Sequence, residues 1–221
     1  PGFIAAPAAG FDRDYLGALK ARAEQGARIG VARGLFGFHP DVDAHAENAI
    51  RALKDLGAEI IDEVKIDSIG QFDDSEFDVL SYELKADLNA YLTRLPKSAP
   101  ARTLAELIEF NRVRATLEMP FFGQEWFESA QAKGPLSDPA YRDALAKNHG
   151  LSRSKGIDAA FSAHRLDALI GPSGGPAWLI DHINGDHYTG GNTSLAAVAG
   201  YPHLTVPMGF VQHLPVGLSF I

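Results

Sequence analysis

The chain has 221 residues, 46% of them apolar and 22% charged, with a net charge of −8. That balance suits one domain, or one large lobe of a bigger one, and argues against disorder. Basic residues are scattered, so a phosphate backbone finds no footprint and nucleic acid is not an expected partner. The absence of cysteine excludes disulfides, thiolate nucleophiles and cysteine metal sites, and agrees with a cytoplasmic location. No apolar run approaches the roughly 18 residues of a membrane span, so no membrane partner is expected either.

Residues 1–10 are apolar and rich in small residues but lack a basic start. Residues 1–11 are therefore expected to be a linker or cut end, not a signal peptide. Tyr15, Leu16, Leu19 and Ala23 have helical spacing within residues 12–25, and residues 27–32 form a short apolar strand. Pro40, with Asp41 and Asp43 at the positive end of the dipole, opens a helix that Gly57 stops. A strand over residues 58–64 follows. Strand, helix and strand within about 38 residues predict a parallel crossover, which makes the class α/β.

The middle of the chain is helical. Phe77, Leu80, Leu84, Leu88, Tyr91 and Leu95 recur every three or four residues, until Pro96 and Pro100 break the pattern. Thr103-Leu104-Ala105-Glu106 has the form of a capping box. Ser137-Asp138-Pro139 starts a further helix, bent or interrupted at Gly150 and Gly156, that runs to about Arg165. A strand over residues 167–170 then leads into a Pro/Gly loop. A short helix is expected over residues 194–199, and strands over 203–206 and 216–221 with a loop around Pro215. The run ending at Ile221 has no turn or polar tail, so the protein is expected to continue past it.

Four clusters could carry chemistry. Gly171-Pro172-Ser173-Gly174-Gly175 fits the G-x-S-x-G nucleophile elbow, but Pro176-Ala177-Trp178 does not look like the helix an elbow needs. A Pro/Gly loop closing a strand is the plainer reading. Asp181, His182, Asp186 and His187 flank an Asn-Gly turn and have the side chains of a divalent site, yet a solvated hairpin tip explains them without a metal. His39, Asp41, Asp43 and His45 form a similar cluster, whose acids the helix N-terminus already explains. The stretch from Glu118 to Glu125 supplies either an aromatic pocket wall or a tight corner between helices. No metal or other cofactor is expected.

The tail carries a resemblance. Gly191-Asn192-Thr193-Ser194-Leu195, then Ala199-Gly200-Tyr201-Pro202, Thr205-Val206-Pro207-Met208-Gly209-Phe210 and Leu214-Pro215-Val216-Gly217-Leu218, resembles the C-terminal run of the amidase-signature family. Phe110-Asn111-Arg112 with residues 119–125, residues 28–33, and residues 169–178 resemble further segments of it. The resemblance covers residues 12–221 and implies a mixed sheet flanked by helices, of which this is only the C-terminal portion. It implies hydrolysis of linear carboxamides by a nucleophilic serine, a bridging serine and a lysine. Neither the serine-rich signature nor its lysine is found here, so no catalytic residue is assigned. The implied substrate-binding wall is Phe121, Phe122, Gln124, Gly190, Gly191, Asn192 and Thr193. Some members place an acidic residue near Gly190, and this chain has glycine there.

The expected partners are a small-molecule amide, the N-terminal half of the same protein, and a second copy of the chain. Self-pairing is expected through a strand edge or a face lined by Ile170, Val206 and Leu218. Two other readings stay open: a self-contained, non-enzymatic α/β binding module, and a serine hydrolase built on Ser173.

Overall fold

Short apolar runs with β-branched residues make the first two strands, a buried one and an edge one. In the computed structural model, which describes Leu19 and residues 22–221, β1 (Arg28–Val31) has its last three residues buried. The expected helix over residues 12–25 lies outside the described residues except for its end, where residues 22–26 form turns. α1 (Pro40–Asp55) begins as its sequence requires, with proline in the first turn and His39 as cap. His39 Nδ1 accepts from the Asp41 amide at 3.2 Å. Gly57, at φ +101°, turns the chain into β2 (Glu59–Ile61), which pairs parallel with β1. The expected strand–helix–strand unit is therefore present.

The helical middle comprises α2 (Asp73–Leu92), α3 (Leu104–Val113), α4 (Ala115–Glu118), α5 (Glu125–Gln131) and α6 (Pro139–His149). Thr103 caps α3, its hydroxyl accepting from the Glu106 amide at 3.1 Å. Glu106 reaches back to the Arg102 amide at 2.7 Å, one residue before the partner that the capping box predicts. The expected interruption at Gly150 and Gly156 is a π-helical segment, Gly150–Ile157, kinked at Gly156. It continues into α7 (Asp158–His164), which Arg165 ends in the left-handed region.

β3 (Ala168–Pro172) pairs parallel with β1, and α8 (Thr193–Ala199) closes on Gly200. The final strands are longer than expected. β4 (Leu204–Val211) and β5 (Leu214–Phe220) form a hairpin turned by Gln212 and His213, both with positive φ. Pro215 is therefore not in a loop. It lies in β5 opposite Phe210, beyond the stretch that pairs with β3, where a missing N–H breaks no second ladder.

The sheet has the order β2-β1-β3-β5-β4, parallel across its first three strands and antiparallel across the rest. α1 covers one face, where Ile29, Val31, Ala46, Ile50, Ile170 and Leu218 form a core. Ile157, Ala160, Leu166, Leu195 and Ala199 cover the other, packing on Leu35, Phe72 and Leu169. This corrects the expectation of an open face at Ile170, Val206 and Leu218. Ile170 and Leu218 are buried under α1, and Val206 packs against the same core. β1 connects to β2 on one side and has β3 on the other, so the strand order reverses there. In parallel sheets that reversal opens a crevice at the carboxyl ends of the two strands.

Candidate functional site

β1 and β3 deliver their carboxyl ends side by side, and each exits into a loop. The loop after β1 runs through Leu35 and Phe38. The one after β3 spans residues 173–191 and returns to its own start. There Gly174 bridges Gly191, the Gly175 amide donates to the Gly190 carbonyl at 3.3 Å, and the Asn192 amide donates to the Ser173 carbonyl at 3.3 Å. This pinched base holds four of the candidate wall residues.

Gly190 has φ +150° and lies against the Phe38 ring, so a Cβ there would be 2.7 Å from the phenyl carbons. An acidic side chain at this position would have to displace Phe38, which accounts for the glycine. Gly191 packs beside the Tyr188 hydroxyl. Asn192 is 2% exposed, and neither its Oδ1 nor its Nδ2 has a hydrogen-bond partner among the described residues. Asn192 is the cap residue of α8 yet makes no capping bond, and Thr193 is exposed at the first position of that helix. Asn192 lines a cavity of about 180 Å³ with Leu35, Ile69, Phe72, Asp73 and Ser194.

The remaining three candidates sit at the far end of the loop. Phe121 stacks on His182 with ring centroids 3.9 Å apart and planes within 5°, and Phe122 tilts against the same imidazole at 5.8 Å. Gln124 is bound on both sides of its amide: it accepts from Asn111 Nδ2 and donates to the Ile108 carbonyl, both at 3.1 Å. Its side chain ties the α3–α5 corner together. The loop links the two groups through Trp178, whose ring meets Tyr188 edge-on at 6.1 Å.

The alternative clusters are engaged otherwise. The Ser173 hydroxyl bonds to Ser219 at 2.7 Å and Thr205 at 3.2 Å, and extended chain, not a helix, follows it. Its hydroxyl partners offer no base, so the arrangement is not a nucleophile elbow. Asp181 accepts from the Ile183 and Asn184 amides and from Asn184 Nδ2, bonds that hold its carboxyl below its ordinary pKa. Asp186 accepts from Trp178 Nε1. Asp43 accepts from the Gly37 amide, and His45 Nε2 bonds to the Phe210 carbonyl at 2.9 Å. Among the described residues, no group of three His, Asp or Glu side chains is placed to hold a metal. No helix among them is long and apolar enough to cross a membrane.

Leu35, Phe72 and Asp73 line the cavity beside Asn192, and Phe38 packs on Gly190, although no motif marks them. Only the rule that parallel strands open a crevice where their order reverses points to the loop after β1, and it requires the strand order to be known.

A family model described as Amidase matches residues 11–221. The chain belongs to the amidase family. The crystal structure of the native peptide amidase from Stenotrophomonas maltophilia superposes with a TM-score of 0.80 at 40% identity, covering 90% of this chain and 39% of that one. An amidase family protein from Bacillus anthracis superposes with a TM-score of 0.73 at 26% identity, covering 94% of this chain and 37% of that one. A protein of Arabidopsis thaliana described as a probable amidase is 33% identical over 180 residues, 79% of this chain and 31% of its own. The chain thus spans less than half the length of each of these amidase-family relatives. Its mixed α/β sheet with flanking helices is the architecture of the corresponding portion of the peptide amidase.

Proposed function

We propose that this chain is the C-terminal portion of an amidase that hydrolyses linear carboxamides, and that it contributes the substrate-facing wall without the chemistry. The reading rests on the likeness to the peptide amidases, one of which was crystallised with a competitive inhibitor. That structure matches 90% of this chain at a TM-score of 0.83 but only 40% of its own length. In this reading a Ser-Ser-Lys array lies in the remainder of the protein. That array would supply the nucleophile, the proton relay and stabilisation of the developing oxyanion. The wall is Gly190, Gly191, Asn192 and Thr193 at the crevice, with Phe121, Phe122 and Gln124 farther out. The rest of the same protein is the partner that covers the exposed aromatic and aliphatic side chains around residues 117–126 and 178–188. A cytoplasmic location belongs to the same reading, supported by a chain with no cysteine.

The geometry of Ser173 speaks against the rival serine hydrolase, because its hydroxyl faces other hydroxyls and no imidazole. The test is a chimera in which residues 22–221 replace the matching stretch of the Stenotrophomonas maltophilia peptide amidase. Hydrolysis of peptide amides is expected within about a hundredfold of that parent, the loss that slight misplacement of a wall causes. A folded chimera no faster than buffer would overturn the proposal and favour a non-enzymatic binding module.

A further inference from the structure

Asn184 is the one asparagine of the chain that precedes a glycine, and both residues are exposed in the loop after β3. Asparagine is chemically labile. The main-chain nitrogen of the following residue can attack its side-chain carbonyl carbon, and a side chain on that residue stands in the way. Gly185 has none, and a Cβ built there would meet nothing within 4 Å. The approach is therefore open on the side of the nucleophile.

Among the described residues, the hydrogen bonds that restrain this attack run to Asp181. The Gly185 amide donates to the Asp181 carbonyl at 3.0 Å, so the attacking nitrogen is held by its own proton. Asn184 Nδ2 donates to Asp181 Oδ2 at 2.8 Å, which holds the side-chain amide as well. Asp181 Oδ1 accepts from the Ile183 and Asn184 amides at 2.8 and 2.9 Å, closing an Asx turn. The carboxylate also opposes the negative charge that develops on the attacked amide. His182 lies inside the same turn. Its imidazole stacks on Phe121 with centroids 3.9 Å apart and tilts against Phe122 at 5.8 Å. The turn thus sets the position of the ring that joins this loop to the two phenylalanines.

We propose that Asn184 is a self-modification site, that Asp181 holds it in the unreacted form, and that its reaction uncouples His182 from Phe121. Gly185 N attacks Asn184 Cγ, and its proton passes through solvent to the leaving Nδ2. The N–Cγ bond forms, the Cγ–Nδ2 bond breaks, ammonia departs and a cyclic imide remains. Water then opens either C–N bond of the imide, giving aspartate or isoaspartate at position 184. Both products replace a donor to Asp181 with a second carboxylate beside it, and like charges in contact repel. Isoaspartate also lengthens the main chain inside the turn. The turn opens, and the His182 ring loses its register on Phe121.

The experiment incubates the 221-residue chain in mildly alkaline buffer and quantifies isoaspartate at position 184 by peptide mapping and enzymatic carboxyl methylation. A synthetic peptide of residues 180–188 gives the unrestrained rate. The chain is expected to react at least about fivefold more slowly than the peptide, the factor that one net hydrogen bond gives. Asp181→Ala should recover most of that factor, and Asp181→Asn, which keeps an acceptor for the two amides, only part of it. Asn184→Gln, which would have to close a larger ring, should show no product. The stack is read from the nuclear Overhauser effect between the His182 and Phe121 rings, expected in the fresh chain and lost both in the reacted fraction and in Asn184→Asp. Equal rates in chain and peptide, or in chain and Asp181→Ala, would overturn the restraining role of Asp181. Absence of isoaspartate at position 184 from Asp181→Ala would overturn the site itself, and a ring contact that survives in the reacted fraction would overturn the uncoupling. None of these readouts depends on amide hydrolysis, so the amidase reading stands or falls separately.

Discussion

Arg33 leaves β1 with its guanidinium held by two carboxylates and a ring. Nε and Nη2 donate to both oxygens of Asp62 at 2.6 Å, Nη1 pairs with Glu47, and Phe36 lies 4.9 Å from the guanidinium carbon. The clamp joins the exits of β1 and β2 to α1, and so fixes the base of the crevice. Its hydrogen bonds raise the Arg33 pKa further above its ordinary value and hold the Asp62 carboxyl below its own, despite some opposing burial. A depressed carboxylate contributes stability above its ordinary pKa and loses it as pH falls through the folded value. The groups are half exposed, so the network is worth about 1 kcal/mol, or roughly 2–4 °C in a chain of this size. Arg33→Ala should lower the thermal midpoint by that amount at neutral pH, and the gap should close as pH drops below 3.8. Scanning calorimetry across pH checks this, and a gap that persists in acid would contradict it. The helix starts at Pro40 and Thr103 were legible because they act on neighbours in sequence, whereas the His39 cap was not marked. The burial of Asn192 was not legible, because Leu35 and Gly171 come to it from distant segments.

The β4–β5 hairpin shows where legibility stops for an element. Its two-residue turn needs positive φ at both positions, for which Asn-Gly is the usual signal. Gln212 and His213 adopt it instead, so the sequence carries no such mark and the strands looked shorter than they are. The edge strand β4 is blunted by Pro207, by a register shift at Gly209 and by the bond from His45 to Phe210. Strand addition along β4 is therefore the weaker route to self-pairing. The loop after β3 is the stronger one, for Leu179 and Ile183 are 90% and 93% exposed beside the exposed Phe121 and Phe122. Such a contiguous apolar surface is uncommon on a soluble monomer. Light scattering over a concentration series should show mass rising with concentration, and Leu179→Lys with Ile183→Lys should restore the monomer. A strict monomer of the unaltered chain at every concentration would contradict this.

At the scale of the molecule, periodicity and turn residues were enough for the α/β class and the parallel crossover, while the resemblance of the tail carried the family. The strand order was not legible, because the pairing of β3 with both β1 and β5 joins segments far apart in the chain. That order creates the crevice and the reversal beside Asn192. It also leaves Ser173 among hydroxyls, which offer it no base. If the catalytic array lies outside this chain, as proposed, loss of activity on the order of a million-fold is expected. The direct measurement is hydrolysis of simple amides and esters by the purified 221-residue chain, beside its Ser173→Ala variant. We expect neither protein to exceed buffer, whereas turnover that Ser173→Ala abolishes would place the chemistry in this chain and contradict its role as a wall alone.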